Sequence, residues 1–129
     1  MGLFSAMKNA FSGAETDLEN WNELNEKQQV SEVIFASEER PQLVYKHSHR
    51  CSICFLAKEE VEKSFDAIEE KADMNFVNVV HARSVSNAFA EQTGVRHESP
   101  QVLIINKGDV LWHASHHSIK GDAILEALQ

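Results

Sequence analysis

The nonapeptide KHSHRCSIC, residues 46–54, holds both cysteines of this 129-residue chain. It follows the apolar run Leu43-Val44-Tyr45, which is typical of a short buried strand. Beyond it, apolar residues recur at helical spacing and predict a helix from about Ser52 to Glu70, with a buried stripe of Cys54, Val61, Phe65 and Ile68. Cys51 is therefore predicted to lie where a strand ends and a helix begins.

That position favours ionisation of the Cys51 thiol. The first turn of a helix has unpaired N–H groups and the positive end of the helix dipole, and both stabilise a thiolate. Four nearby residues that are positive or protonatable are expected to add to this effect: Lys46, His47, His49 and Arg50. We therefore expect the pKa of Cys51 to lie below the free value of about 8.5. Cys54, nearly one turn further on and facing the core, is the predicted resolving thiol.

Two of these basic residues allow a simpler interpretation. Lys46 could be a solvated lysine at a strand end, and the side chain of Arg50 could point into solvent. If Arg50 faces the site instead, it is a candidate ligand for an anionic group of a substrate.

Composition predicts one domain in a reducing compartment. Two cysteines at CxxC spacing are not a disulfide framework, and they indicate a catalytic or metal-binding role in a cytoplasmic protein. The net charge of −8 argues against nucleic acid or an anionic membrane as the main partner. No apolar run has the length of about 20 residues needed to span a bilayer, and no signal-peptide core is evident.

The first half of the chain predicts an extension followed by a folded domain. Residues 1–20 are expected to form an N-terminal extension or a short amphipathic helix, and residues 21–129 the domain. Trp21 and Leu24 predict a short strand, and Val30 to Ile34 a helix with Asn25 as its candidate N-cap. A central strand over 42–46 then precedes the helix that carries Cys54.

The second half predicts one more crossover and then a hairpin. A strand over 75–80 is followed by a helix that begins at Ser84 and ends at Gly94. Strands over 101–106 and 109–113 are joined through Lys107-Gly108, which is too short for a crossover. Ser118 is the expected cap of a last helix.

This order, β-α-β-α-β-α-β-β-α with CxxC after the second strand and a proline before the hairpin, is the thioredoxin arrangement. It predicts an α/β thioredoxin-like fold, with a mixed sheet of four to five strands flanked by helices. The resemblance implies a cis peptide bond before Pro100, in a loop that lies against the CxxC and offers the backbone of Ser99 to an extended substrate.

Three motifs resemble one family in particular, the YtxJ-type bacilliredoxins of the bacillithiol system. They are YKHSHRC over 45–51, HESPQ over 97–101, and Gly108 with WHASH over 112–116 and Ile119. The resemblance implies a thiol-disulfide oxidoreductase that removes bacillithiol from protein cysteines, with Cys51 as the attacking thiol. Its partners would be thiolated client proteins, a low-molecular-weight thiol as co-substrate and a reductase system, with no bound cofactor.

The chain departs from the family pattern after the first cysteine. Ser52 and Cys54 stand where the family has a proline and a serine, so the site is dithiol. A mixed disulfide on Cys51 could then be resolved internally, leaving a Cys51–Cys54 disulfide for a second reductant.

The predicted base also differs from that of thioredoxins. Tyr45 stands where thioredoxins carry a buried acid, so the base must be another group. His47 and His49 are the first candidates, since a histidine titrates near neutral pH, and His97 and Glu98 are the second. Together with Ser99 and Pro100, His97 and Glu98 are also expected to border the substrate.

Other interpretations of the same residues remain open. The protein could be a general protein-disulfide reductase, or a zinc-binding module that uses Cys51 and Cys54 with one or two histidines. It could also be a non-catalytic adaptor that binds extended peptides at Ser99-Pro100. The cluster of His113, His116 and His117 is a weak metal signal; these are expected to be surface or packing residues, and we predict no metal site.

Overall fold

The computed structural model describes residue 18 and residues 20–129, so most of the predicted extension lies outside the described residues. The chain forms a five-stranded sheet flanked by helices, with strand order β1-β3-β2-β4-β5. The elements in sequence order are β1 (Asn22–Glu23), α1 (Gln28–Ala36), β2 (Gln42–His47), α2 (Ser52–Lys63), α3 (Phe65–Glu69), β3 (Asp73–Asn78), α4 (Arg83–Thr93), β4 (Gln101–Asn106), β5 (Asp109–Ser115), a 3-10 turn (His116–Ser118) and α5 (Gly121–Ala127).

Strand β2 lies at the centre of the sheet. It pairs in parallel with β3 and antiparallel with β4, and all six of its residues are buried. Parallel strands β1 and β3 continue the sheet on one side, and the β4–β5 hairpin continues it on the other. The mixed sheet predicted from the sequence is thus confirmed, with five strands.

Each face of the sheet has its own hydrophobic core. Because side chains alternate along a strand, Leu43 and Tyr45 point to one face and Val44 to the other. The first face packs against α2, α3 and α5, and the second against α1 and α4. The last two residues of β2, Lys46 and His47, are therefore each covered by helices.

The helix after the cysteines is divided in two. A continuous helix to Glu70 was the prediction, but α2 ends at Lys63 and α3 begins at Phe65. Ser64 between them leaves the helical region, with φ −114° and ψ 18°. The start of α5 packs here, because a Cβ atom added to Gly121 would lie 2.5 Å from Ser64 Oγ. Phe65 and Ile68 still reach the core as predicted.

Two predicted caps are wrong. Lys27, not Asn25, precedes α1, and the N–H groups of Asn25 and Glu26 instead donate to the side chain of Gln29, at 2.8 Å each. Ser118 lies in the 3-10 turn, and α5 begins only at Gly121.

The end of α4 and the hairpin turn agree with the prediction, whereas β3 spans Asp73–Asn78 rather than 75–80. Gly94 ends α4 with φ +77°, and the hairpin turns at Lys107-Gly108 with φ of 55° and 83°. The Ser99–Pro100 peptide bond is cis, as the resemblance implied. Among the described residues, no helix has the length and apolar character to cross a membrane.

Candidate active site

Cys51 is the residue immediately before α2. Its backbone is extended, with φ −123° and ψ 118°, so its side chain stands at the open N-terminal end of the helix. The pKa of Cys51 is lowered, chiefly by the backbone N–H of Cys54, which also donates to the Cys51 carbonyl at 3.1 Å. The Cys54 thiol and the N–H of Ile53 act in the same direction, while partial burial opposes them. Backbone N–H groups at the start of α2 thus stabilise the Cys51 thiolate, as the sequence predicted.

Cys54 has the opposite environment. Its side chain is fully buried, and this burial raises the pKa of its thiol. Two contacts oppose the rise: Ser99 Oγ lies 3.5 Å from Cys54 Sγ, and the N–H of Ser48 donates to that sulfur at 3.4 Å. Both cysteines are free in this structure. The half-buried Cys51 is therefore the thiol that ionises first.

The loop with the cis proline faces the cysteines. The contact between Ser99 and Cys54 joins this loop to α2, and Pro100 is buried beside it. The carbonyl of Pro100 accepts a hydrogen bond from the N–H of His116, at 3.1 Å, at the end of β5. The hairpin thus holds the loop in position.

Lys46 and His47 have contacts other than those predicted. Lys46 is fully buried, its Nζ donates to the Ser86 carbonyl of α4 at 3.3 Å, and burial lowers its pKa to about 8. His47 is on the other face of the sheet, where burial, and then Lys58 and His49, lower its pKa to about 4. His47 is therefore neutral at pH 7 and supplies no positive charge to the thiolate.

His49 and Arg50 are exposed at the approach to Cys51. The ring of His49 stacks on that of His81, with centroids 5.7 Å apart. Arg50 has its main-chain N–H bonded to Ser48 Oγ at 3.2 Å, and its side chain lines a cavity beside Cys51. Of the four basic residues before the cysteine, Arg50 is the one that borders this cavity.

Tyr45 takes a structural place behind the cysteines. Its ring is fully buried, and its hydroxyl donates to the Cys54 carbonyl at 2.7 Å. The same hydroxyl lies 3.0 Å from His47 Nδ1. Since it donates to the carbonyl, it accepts from His47, which leaves His47 Nε2 as an unprotonated nitrogen. This Nε2 is buried and has no hydrogen-bond partner among the described residues. Burial raises the pKa of Tyr45, so the phenol stays protonated.

His97 and Glu98 lie before the cis proline, as expected. His97 Nδ1 is 2.6 Å from Ser86 Oγ, and its pKa is lowered by burial and then by Lys46 and Arg83. Glu98 is 3.7 Å from His116 Nε2. His97 therefore borders the site, while Glu98 turns toward the 3-10 turn.

A cavity of about 510 Å³ opens beside Cys51. Two valines line it, Val79 and Val80, with six polar residues: Ser48, Arg50, Cys51, Arg83, His97 and Ser99. Arg83 is the charged member that the sequence interpretation missed. It begins α4, far from the cysteines in sequence, and only the crossover after β3 brings it to the site.

The histidine cluster near the C-terminus does not form a metal site. His113, His116 and His117 are exposed. In residues 20–129 and Leu18, no group of three or more His, Cys, Asp or Glu side chains could hold a metal ion. A zinc site at Cys51 and Cys54 thus has no third ligand in the part of the chain that the structure describes.

The fold, the half-buried low-pKa cysteine and the facing cis proline define a thiol-disulfide oxidoreductase of the thioredoxin fold. The model of one family, described as monothiol bacilliredoxin BrxC, matches residues 22–124. The chain belongs to this family.

Solved structures agree with the fold. One, described as a proposed oxidoreductase with a thioredoxin fold, is 28% identical with a TM-score of 0.74 over 85% of this chain and 95% of that one. Thioredoxin from Fasciola hepatica is 16% identical, with a TM-score of 0.65 over 83% and 95%. Thioredoxin O2 from Arabidopsis thaliana in its oxidised state is 13% identical, with a TM-score of 0.67 over 84% and 94%. The two thioredoxins are similar in fold alone.

Proposed function

We propose that this oxidoreductase reduces mixed disulfides between protein cysteines and a low-molecular-weight thiol of the bacillithiol type. Cys51 is the nucleophile and Cys54 the resolving thiol. The proposal is carried by the opposite environments of the two sulfurs: helix N–H groups lower the pKa of half-buried Cys51, while burial raises that of Cys54. The family is described as monothiol, so the role of Cys54 is specific to this proposal.

The reaction proceeds in two exchanges. The Cys51 thiolate attacks the sulfur of the small thiol, forms a Cys51 mixed disulfide and releases the client cysteine as a thiolate. Cys54 then loses its proton and attacks Cys51 Sγ, which releases the small thiol as a thiolate and leaves a Cys51–Cys54 disulfide. An external dithiol or reductase returns two electrons to restore both cysteines.

The proton of Cys54 needs an acceptor. His47 is buried with a pKa of about 4, which is low for a base working near pH 7. Ser99 Oγ is the polar side-chain atom 3.5 Å from Cys54 Sγ, and Ser99 and His97 line the same cavity. The pKa of His97 is lowered too, by burial and then by Lys46 and Arg83, so we assign proton transfer from Cys54 through Ser99 to solvent in this cavity.

Client proteins bind along the cis-proline loop in this proposal. The backbone of Ser99 and the ring of Pro100 contact an extended client segment, with His97 and Glu98 at its border. The partners are thiolated clients, the small thiol and a reductase in a cytoplasmic compartment, without a bound cofactor and without nucleic acid.

The test is capture of the first intermediate. A reporter protein with one cysteine carries bacillithiol in a mixed disulfide, and the Cys54→Ser variant is added with no other reductant. Mass spectrometry should show bacillithiol on Cys51 and free reporter thiol in equal amounts. The Cys51→Ser variant is the matched control and should release none.

A general protein-disulfide reductase is the second candidate, because a dithiol site can reduce disulfides within proteins. Insulin reduction measured beside the reporter separates the two. The proposal requires faster turnover of the mixed disulfide, and faster turnover of insulin contradicts it. Wild-type function in Cys51→Ser would indicate an adaptor instead.

A further inference from the structure

The cavity beside Cys51 carries uncompensated positive charge in an acidic protein. Arg50 and Arg83 both line it, and neither forms an ion pair with a carboxylate of the described residues. The chain as a whole has a net charge of −8. The two guanidinium groups beside the nucleophile, which have no carboxylate partner among the described residues, thus differ in sign from the protein's overall charge. Guanidinium groups bind carboxylates with two parallel hydrogen bonds.

A buried network supports the wall that includes His97. His97 Nδ1 lies 2.6 Å from Ser86 Oγ, and the Ser86 carbonyl accepts a hydrogen bond from buried Lys46. Lys46 and Arg83 are both close enough to His97 to oppose its protonation. Lys46 is thus a third positive group near the cavity, buried on the far side of the residues that line it. Glu98 is the carboxylate nearest in sequence; it acts on the pKa of His97 in the opposite direction to Lys46 and Arg83, and its Oε1 lies 3.7 Å from His116 Nε2.

The shape of the cavity suits a small molecule. Its volume of about 510 Å³ falls within the range of roughly 300–1,000 Å³ typical of small-ligand sites. Val79 and Val80 add apolar surface for a carbon skeleton. In the proposed exchange the small thiol becomes bonded to Cys51 Sγ, and this sulfur borders the same cavity.

We propose that Arg83, together with Arg50, forms a carboxylate-binding site that selects an anionic low-molecular-weight thiol in mixed disulfides. This inference rests on the proposed function and names the charge class of its co-substrate. Arg83 binds the carboxylates and so positions the sulfur of the small thiol for attack by the Cys51 thiolate. The exchange itself is unchanged: the small thiol bonds to Cys51, and the client leaves as a thiolate.

A charge series of small thiols tests this assignment. One single-cysteine reporter is prepared as mixed disulfides with mercaptosuccinate, which has two carboxylates, with neutral 2-mercaptoethanol and with cationic cysteamine. kcat and KM for release of the reporter thiol are measured for the wild-type chain with an excess of one reductant. We expect kcat/KM to be highest for mercaptosuccinate and lowest for cysteamine.

The Arg83→Gln variant should reduce this preference. We expect the ratio of kcat/KM for mercaptosuccinate to that for 2-mercaptoethanol to fall about tenfold, mostly through KM, because a charge-assisted hydrogen bond is lost. Arg83→Lys should recover part of the ratio. Arg96→Gln is the matched control: Arg96 is exposed and does not line the cavity, so the ratio should be unchanged.

Several outcomes overturn the inference. If Arg83→Gln lowers all three rates equally, Arg83 acts on the cysteines or the fold rather than on the thiol. If it changes KM only for reporters with acidic residues near the cysteine, the arginines bind the client. If the wild-type chain reduces insulin but none of the mixed disulfides, the proposed function itself fails, which is distinct from activity without charge preference.

Discussion

The two cysteines show how burial and helix position give the same side chain two reactivities. Both are in one helical turn, yet the pKa of Cys51 is lowered by N–H groups while that of Cys54 is raised by burial. The sequence predicted the lowered pKa of Cys51, from the helix start and its basic neighbours, and the core-facing position of Cys54 three residues later.

The reactivity of Cys51 should follow from its lowered pKa. In Cys54→Ser, where Cys51 is the one thiol left, iodoacetamide alkylation should have a pH midpoint under about 8, compared with about 8.5 for free cysteine. The thiolate is the reacting form, so a lower pKa moves the midpoint down. Rates are measured from pH 5 to 10 by mass spectrometry. A midpoint at or above the free value would contradict an activated Cys51.

Lys46 and His47 show what the sequence could not predict at this scale. Polar residues at a strand end are normally solvated, but helices cover both faces of the sheet where β2 ends. Alternation then directs Lys46 toward α4 and His47 toward Tyr45 and Phe76. The same burial that lowers their pKa values removes them from the role of exposed cations. Arg83 was missed for a related reason, since no local pattern marks its approach to Cys51.

At the scale of elements, apolar periodicity predicted the order of strands and helices, whereas tertiary contacts set their ends. The helical stripe over 54–68 has no break in its spacing, yet the helix divides at Ser64. The first residue of α5, from the far end of the chain, packs against this point. The predicted caps at Asn25 and Ser118 were wrong for another reason: the type of side chain favours a capping role but does not fix the residue at which the helix starts.

The contact at Gly121 should be sensitive to a single methyl group. A Cβ atom there would lie 2.5 Å from Ser64 Oγ and 3.1 Å from the carbonyl oxygen of Glu60, which belongs to the helix backbone. Gly121→Ala should therefore lower the free energy of unfolding by about 1–3 kcal/mol. Urea denaturation of reduced protein measures it.

A second glycine provides the control for this prediction. Gly94 has φ +77° and nothing within 4 Å of its added Cβ, and asparagine tolerates this backbone conformation. Gly94→Asn should thus cost less than about 1 kcal/mol. A loss at Gly121 as small as that at Gly94 would show that α2 and α5 move apart easily enough to accept the added methyl group.

At the scale of the whole molecule, the boundary of the domain differs from that of the family match. The match begins at residue 22, yet Leu18 and Trp21 are buried in the core under α2 and α3. Trp21 packs against Phe65 and Phe76, with ring centroids 5.1 and 5.5 Å away, and its Nε1 donates to Glu62 at 3.0 Å. The sequence identified Trp21 as the start of the domain but gave no sign that Leu18 also packs there.

Two shortened chains test how much these residues contribute. The free energy of unfolding should be about 3–5 kcal/mol lower for a chain that begins at residue 22 than for one that begins at residue 18. Removing a buried tryptophan leaves a cavity in the core, and such cavities lower stability by about this amount. Both are compared by urea denaturation, with Trp21→Ala in the full chain as the control, which should account for most of the loss. Since the tryptophan contacts Tyr45, whose hydroxyl holds the carbonyl of Cys54, the shorter chain should also lose reporter activity before it unfolds. Equal stability of the two chains would mean that the family match already contains the complete core.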